Sequence, residues 1–402
     1  MFGIAFSSGS VFIFLASSLP LLIYSEHGSA KQISILALIT IPYSLKILWA
    51  PYFDHNVAPV LYRCFGHRKA WALFLLAVLF IMMGFMPYTS PHKDYLLTCL
   101  LATLICMGMA MIDTISAAYR AGNFTKERLP MAMAFTNMGF YTGLLLAGAG
   151  SLYCSAHNFS WQRINLLMLY LLIPSFIGWL CLGDTTQNAI SNHPDKQPLR
   201  DFVKTLQHAL KDLNQSHSLK WLALFILFYK ISDSVTQYWG PVMFMDLGFS
   251  KSELAFTVRT VGTVAMLVAS AIAGKWLTKT GIMRGMIGCG ILQLAAPLVL
   301  LYFATSSQNK VIFTITVVIQ AIVCGMAHTA LMTFLASLCK GQYIITKIAV
   351  VCSFASFMRT LLAYGSGYFK GYTNISWPLF FIIVAVSSIP FLYAARKLKS
   401  CS

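Results

Sequence analysis

Twelve apolar runs of about twenty residues each, separated by short polar loops, constrain this chain more than anything else in it. At about 1.5 Å per residue such a run crosses a hydrocarbon core about 30 Å thick. Inside that core only helices, or a closed barrel, satisfy their own backbone groups. The runs are too long for barrel strands of about ten residues, so the chain is expected to be an all-α integral membrane protein with twelve transmembrane helices. They lie roughly at 2–24, 32–53, 70–88, 95–119, 130–153 and 163–183, then at 220–246, 253–277, 284–304, 310–338, 346–370 and 376–395. Charged residues are 10% of the chain, where soluble domains carry about 25%, and mean hydropathy is +0.71. The first run has no Lys or Arg before it, so a cleaved secretory signal is not expected.

Residues 184–219 are the longest polar stretch and divide the runs into two sets of six. Within it Leu199, Phe202, Val203, Leu206, Leu210 and Leu213 recur at a helical period, which predicts an interfacial amphipathic helix. The expected organisation is a six-helix half over 1–183, a cytoplasmic linker over 184–219 and a second six-helix half over 220–402. Counting bases tests orientation. With both termini in the cytoplasm, nineteen of the 29 Lys and Arg fall in inside segments, Arg120 among them; six fall outside and four within the runs. The net charge of +17 is thereby explained by membrane orientation, and no basic stripe with interleaved aromatics points to nucleic acid. The ten cysteines show no metal-ligand spacing, so neither metal nor cofactor is expected. No Walker motif, nucleophile elbow or metal cluster suggests an enzyme or an ATP-driven pump.

Charges inside the runs carry the functional argument, because each costs roughly 2.5–3.5 kcal/mol on insertion scales unless paired or set in a cavity. They are Lys46, Asp113, Lys230, Asp233, Arg259 and Arg359: four bases against two acids. Such an excess suits an anionic solute. Lys230 and Asp233 are three residues apart on one helical face, and two readings stand. They neutralise each other as a staple, or Asp233 is a proton site tuned by Lys230, with Tyr229, Ser232, Thr236, Gln237 and Gly240 completing a polar stripe. Arg259 and Arg359 read as substrate contacts, with pairing to Asp113 or Asp233 as the competing reading. Asp113, six residues from the cytoplasmic end of its run, is a proton site or a partner for a base. Lys46 either snorkels to the headgroups or lines the path. Asn137 and Tyr141 are candidate polar lining, and His328 reads as hydrogen-bonded packing. Gly139 and Gly143 permit a close helix crossing.

Ala50-Pro51-Tyr52-Phe53-Asp54-His55 with Gly66-His67-Arg68-Lys69, and Gly274 to Gly281 with Arg284, occupy equivalent inside loops of the two halves. This resembles the repeated loop signature of the major facilitator superfamily, with Thr278 in place of the second acid. The resemblance implies two parallel repeats rocking about a midplane site and a cytoplasmic gate at Asp54, Arg68 and Lys69. Ser18-Leu19-Pro20-Leu21, Lys46-Ile47-Leu48-Trp49-Ala50-Pro51, Tyr229 to Asp233, Gly290-Ile291-Leu292-Gln293, and Leu338-Cys339-Lys340 through to Arg359 further resemble the AmpG-type muropeptide permeases. That branch is related to acetyl-CoA transporters. Two departures stand out: Ala117 where the branch tends to have a second acid, and Tyr141 where it tends to have an arginine. The resemblance implies a proton-coupled importer of an anhydromuropeptide-like anion in a bacterial inner membrane, working as a monomer. A carboxylate siderophore or nucleotide derivative would meet the same charge requirement, and a non-transporting sensor or scaffold is the reading from another class.

Overall fold

The computed structural model describes residues 1–19, 39, 41–56, 65–89, 94–157, 159–183, 198–217, 219–306, 309–341, 343–373 and 375–401. Residues 32–38 and 40 of the run expected at 32–53, Pro20-Leu21 of the first motif, and the linker before residue 198 lie outside them. Among the described residues the regular structure is helical throughout. In chain order the principal helices are α1 (Phe2–Ile13, continued by a π-helical turn Phe14–Ser18), α2 (His67–Phe85), α3 (Tyr95–Asn123), α4 (Leu129–Ala156), α5 (Trp161–Tyr170), α6 (Ile173–Cys181) and α7 (Pro198–His217). There follow α8 (Leu219–Asp246), α9 (Gly262–Thr280, entered by a π-helical segment Ala255–Val261), α10 (Ile282–Gln293), α11 (Ala295–Thr305), α12 (Lys310–Leu338), α13 (Ile344–Thr373), α14 (Trp377–Ser388) and α15 (Phe391–Cys401).

Eight spans among the described residues are long and apolar enough to cross a membrane. Three of the expected runs appear as paired helices: α5 with α6, α10 with α11, and α14 with α15. Each break has a proline at hand: Pro174 and Pro297 in the first turn of the following helix, Pro390 at the last junction. There the missing N–H costs no hydrogen bond and the fixed φ suits a restart. In α7 the buried residues are Thr205, Ala209 and Leu213, while Val203 of the expected apolar face is exposed. Leu206 and Leu210 are half-buried, so the expected apolar face is packed along most of its described length.

Close contacts gather the chain into two compact units. The first comprises Met1–Phe124, Phe135–Ala209 and Cys339–Ser353; the second comprises Thr125–Ala134, Leu210–Leu338 and Phe354–Ser402. In the first unit α1 and α4 cross at van der Waals range on glycine. A Cβ on Gly139 would sit 2.2 Å from the Phe2 carbonyl oxygen, one on Gly143 2.2 Å from that of Phe6, and one on Gly9 2.2 Å from that of Phe140. Carbonyl oxygens cannot yield as a side-chain tip can, so Gly139→Val is expected to cost on the order of 1–3 kcal/mol. A thermal melt of the purified protein would read this as a clear fall in midpoint; an unchanged melt would mean the helices do not cross here. The second unit is cored by Phe244, Phe249, Phe303 and Phe313, with Phe244 and Phe313 centroids 4.7 Å apart. Ser250 and Glu253 form a capping box at the turn into the segment before α9, and Glu253 also meets the exposed Lys310 of α12 at 2.7 Å.

Candidate functional site

In the second unit, α8 carries the polar stripe expected from sequence, and the structure gives nearly every member a partner. Lys230 Nζ lies 2.7 Å from Asp233 Oδ2, and Gln237 Nε2 donates to Asp233 Oδ1 at 2.6 Å. Both residues are almost fully buried, at 4% and 5% exposure. The Tyr229 hydroxyl donates to the Ala327 carbonyl of α12 at 3.1 Å, and Ser232 Oγ to the Gln293 carbonyl of α10 at 3.0 Å. Gln320 of α12 donates in turn to the Thr236 carbonyl at 3.0 Å. The stripe thus joins α8 to α10 and α12, which is how polar groups act as interhelical glue inside a bilayer. Arg359 and His328 lie within electrostatic reach of Asp233, but its two oxygens are already occupied. Arg359 is exposed, as is Arg259 in the π-helical segment; π-turns frequently mark functional positions.

The first unit holds a cluster of the opposite character. Asp113 is half-buried on α3, ten residues before the end of the helix at Asn123. It therefore sits deeper than the expected six residues, because α3 continues past its apolar run. The Tyr43 hydroxyl lies within hydrogen-bonding reach of Asp113 and Ser8. Lys46 sits over the Tyr43 ring at 4.7 Å. Among the described residues, no ion pair reaches the side chains of Lys46, Asp113, Arg259 or Arg359. Asn137 and Tyr141 are half-buried on α4, where Tyr141 stacks edge-on to Phe140 at 6.2 Å.

Sequence counting placed Arg120 among the loop bases. In the structure it is inside α3 and 8% exposed, with Nη1 donating to Ser116 Oγ at 2.6 Å and Nε without a partner. The spacing Asp113, Ser116, Arg120 falls on one helical face, a signal the sequence contained.

The residues expected at a gate divide by role. Asp54 accepts from the Ile345 amide at 3.3 Å, the Thr346 amide at 2.7 Å and the Thr346 hydroxyl at 2.7 Å. It caps the N-terminus of α13, where a carboxylate meets both free N–H groups and the positive end of the helix dipole. Burial raises the Asp54 carboxyl above its ordinary range, against the pull of Thr346, Ile345 and Arg68. Arg68 is buried with its guanidinium against Gly122, where a Cβ would meet Nη1. Lys69 donates to the carbonyls of Leu180 at 2.8 Å and Leu182 at 2.7 Å, closing the C-terminal end of α6. We expect Asp54→Ala to speed hydrogen exchange at the Ile345 and Thr346 amides at least tenfold; rates equal to wild type would show that the cap does not hold.

Membrane-crossing helices with charges buried among them define a multi-pass membrane protein. The sequence profile of the Major Facilitator Superfamily matches residues 1–344, and the chain belongs to that superfamily. Among similar sequences, a Rickettsia typhi protein carrying the name transporter AmpG 3 is 29% identical over 97% of this chain and 94% of its own length. Its namesake in Rickettsia prowazekii is 28% identical over 98% and 94%. A Rickettsia bellii protein with the name transporter AmpG 1 is 25% identical over 98% and 96%. Among solved structures, the Escherichia coli fucose:proton symporter FucP superposes with a TM-score of 0.72 at 11% identity, covering 98% of this chain and 96% of that one. The human organic anion transporter MFSD10 gives 0.69 at 14%, covering 99% and 97%. At such identities these structures speak for the fold alone.

Proposed function

We propose that this transporter is a proton-coupled importer of an anionic sugar- or peptide-containing solute, with anhydromuropeptide as the type substrate. It would work by alternating access between halves 1–183 and 220–402, in a bacterial inner membrane with both termini in the cytoplasm. One observation carries the reading: among the described residues the span bases Lys46, Arg259 and Arg359 form no ion pair, while the acid Asp233 is already paired with Lys230. Unpaired bases at bilayer depth are costly, and a bound anion offsets that cost. Guanidinium groups favour carboxylate and phosphate by bidentate geometry. Asp113, which has no ion pair among the described residues, is the acid assigned to coupling. The AmpG names of the relatives support the choice of muropeptide, and a fucose:proton symporter and an organic anion transporter among the structural neighbours are in keeping with it.

The test is uptake into proteoliposomes under an imposed inward proton gradient. Labelled anhydromuropeptide is offered alone and against a tricarboxylate siderophore and a nucleotide sugar. Accumulation that collapses with a protonophore is the expected result, and preference for either competitor would reassign the solute. Failure of properly folded protein to accumulate any of the three would sink the reading.

A further inference from the structure

We propose that a cavity within the first unit binds one membrane phospholipid, taking up an acyl chain and its ester carbonyl. Such binding requires only that the chain cross a membrane, whatever solute it carries. The cavity has a volume of about 440 Å³, inside the range of about 300–1,000 Å³ that small-molecule sites occupy. Five aromatic residues line it: Trp49, Tyr52 and Phe53 from the end of the second run, and Trp71 and Phe74 from α2. Leu75 of α2 and Met111 of α3 complete its apolar lining, and Asn56 contributes an amide. Among the described residues no charged side chain lines it. An anionic solute finds no counter-charge here, whereas a hydrocarbon chain finds large apolar rings and a thioether.

The walls are built before any ligand arrives. The second run does not end as one continuous helix: Ile41–Ser44 gives way to a 3₁₀ turn, Lys46–Leu48, and then to a helix over Ala50–His55. From positions one turn apart, α2 ties the end of that last helix down twice. His67 Nε2 donates to the Phe53 carbonyl at 2.7 Å, and Trp71 Nε1 donates to the Asn56 carbonyl at 2.8 Å. Trp71 also meets the rings of Phe53, Tyr52 and Phe74 edge-on, with centroids 5.0, 5.8 and 5.9 Å away. Phe53 and Trp71 are buried, so the wall they form is fixed. A ligand entering it pays little to order the site.

The occupant follows from what the cavity opens onto. Ile41, Leu45, Leu48 and Tyr52 recur at helical spacing and are all exposed. An apolar stripe of this kind belongs against acyl chains and not water, and the cavity is continuous with it through Tyr52. Depth agrees. Trp71 and Leu75 lie four and eight residues into α2 from His67. That places them about 6 and 12 Å from the end that the base count puts in the cytoplasm. The cavity therefore runs from the interface into the nearer leaflet. Its hydrogen-bonding groups, Asn56 and Tyr52, come from the interfacial end. Asn56 Nδ2 donates to the Tyr52 carbonyl at 3.0 Å and has a second hydrogen to give; the Tyr52 phenol is a further donor. An ester carbonyl at the level of the interfacial aromatic belt is the acceptor that matches them. A phospholipid brings both parts, and nothing in the lining reads its headgroup.

The test is photocrosslinking in a bilayer. Full-length protein in nanodiscs receives a phosphatidylglycerol probe with a diazirine midway along one acyl chain, diluted into unlabelled phospholipid. Labelling is expected to saturate at a single lipid per chain and to fall on residues 49–56 and 71–75. Leu75→Trp and Met111→Phe fill the cavity with apolar bulk from two sides, and each should cut that labelling at least about tenfold. Thermal melts near that of wild type show that the variants fold; should neither fold, the wild-type pattern alone decides. Phosphatidylethanolamine and phosphatidylcholine probes with the same chain should label equally. A diazirine fatty acid should label at least about tenfold less, because its carboxylate would enter a lining without counter-charge. Label that does not saturate and spreads over every lipid-facing helix would overturn the site, leaving ordinary annular lipid only. Full labelling in the folded, filled variants would do the same. A headgroup preference of about tenfold, or equal labelling by the fatty acid, would overturn the choice of ligand.

Discussion

Asp113→Asn is expected to abolish proton-driven accumulation, with at least about a hundredfold loss of the concentration ratio reached at steady state. Exchange of labelled for unlabelled solute across the same membrane should continue. The asymmetry follows from how the two intramembrane acids are held. A carboxylate that shuttles protons must change charge in each cycle, and every contact specific to one charge state must be remade each time. Asp233 has a lysine on one oxygen and an amide on the other, at 2.7 and 2.6 Å. Protonating it would break the ion pair and strand Lys230, which is 4% exposed. Asp113 has no ion pair to break, and its polar neighbours are the hydroxyls of Tyr43 and Ser8, which can rotate to serve either charge state. Asn keeps the shape and one acceptor but cannot carry the proton. Exchange, which needs no net proton movement, should therefore survive. Wild-type accumulation in Asp113→Asn would remove this acid from the coupling scheme.

Much of this architecture could be read from residue order, for identifiable reasons. Run length fixes the helices because the bilayer fixes their length, and Pro174 and Pro297 mark where two spans restart. The pairing of Lys230 with Asp233 follows from three-residue spacing, which needs no tertiary knowledge. Lys69 was different: the carbonyls it caps lie more than a hundred residues away, at Leu180 and Leu182. A lysine in a gate-like motif and a lysine closing a helix end look the same in sequence. Arg120 was misplaced for another reason. Hydropathy marks where an apolar run ends, while α3 continues to Asn123, so a residue counted in the loop became a buried one. The partner state of Asp113, on which the mechanism turns, depends on Tyr43 and Ser8 arriving from two other helices, and no local pattern encodes that.

Neutralising either member of the Lys230–Asp233 pair alone should be far more damaging than neutralising both. Lys230→Gln would leave a carboxylate at 5% exposure with Gln237 as its surviving close donor; Asp233→Asn would leave a buried ammonium with no anion. Removing one partner of a buried ion pair typically costs about 3–5 kcal/mol, because the other charge remains desolvated. Removing both deletes two desolvation penalties along with one attraction, and is often close to neutral. The rest of the α8 stripe would stay in place, since the bonds from Tyr229 to Ala327, Ser232 to Gln293 and Gln320 to Thr236 involve neither charge. The double variant Lys230→Gln/Asp233→Asn should therefore melt near the wild-type temperature and retain gradient-driven uptake, while each single variant melts well below it. This double-mutant cycle also sets the two acids against each other. If Asp233→Asn keeps wild-type stability yet loses proton-driven accumulation, and the double variant does not regain it, Asp233 is the coupling residue and Asp113 is not. Recovery of uptake in the double variant would assign the pair to holding α8 in place, leaving Asp113 to carry the proton.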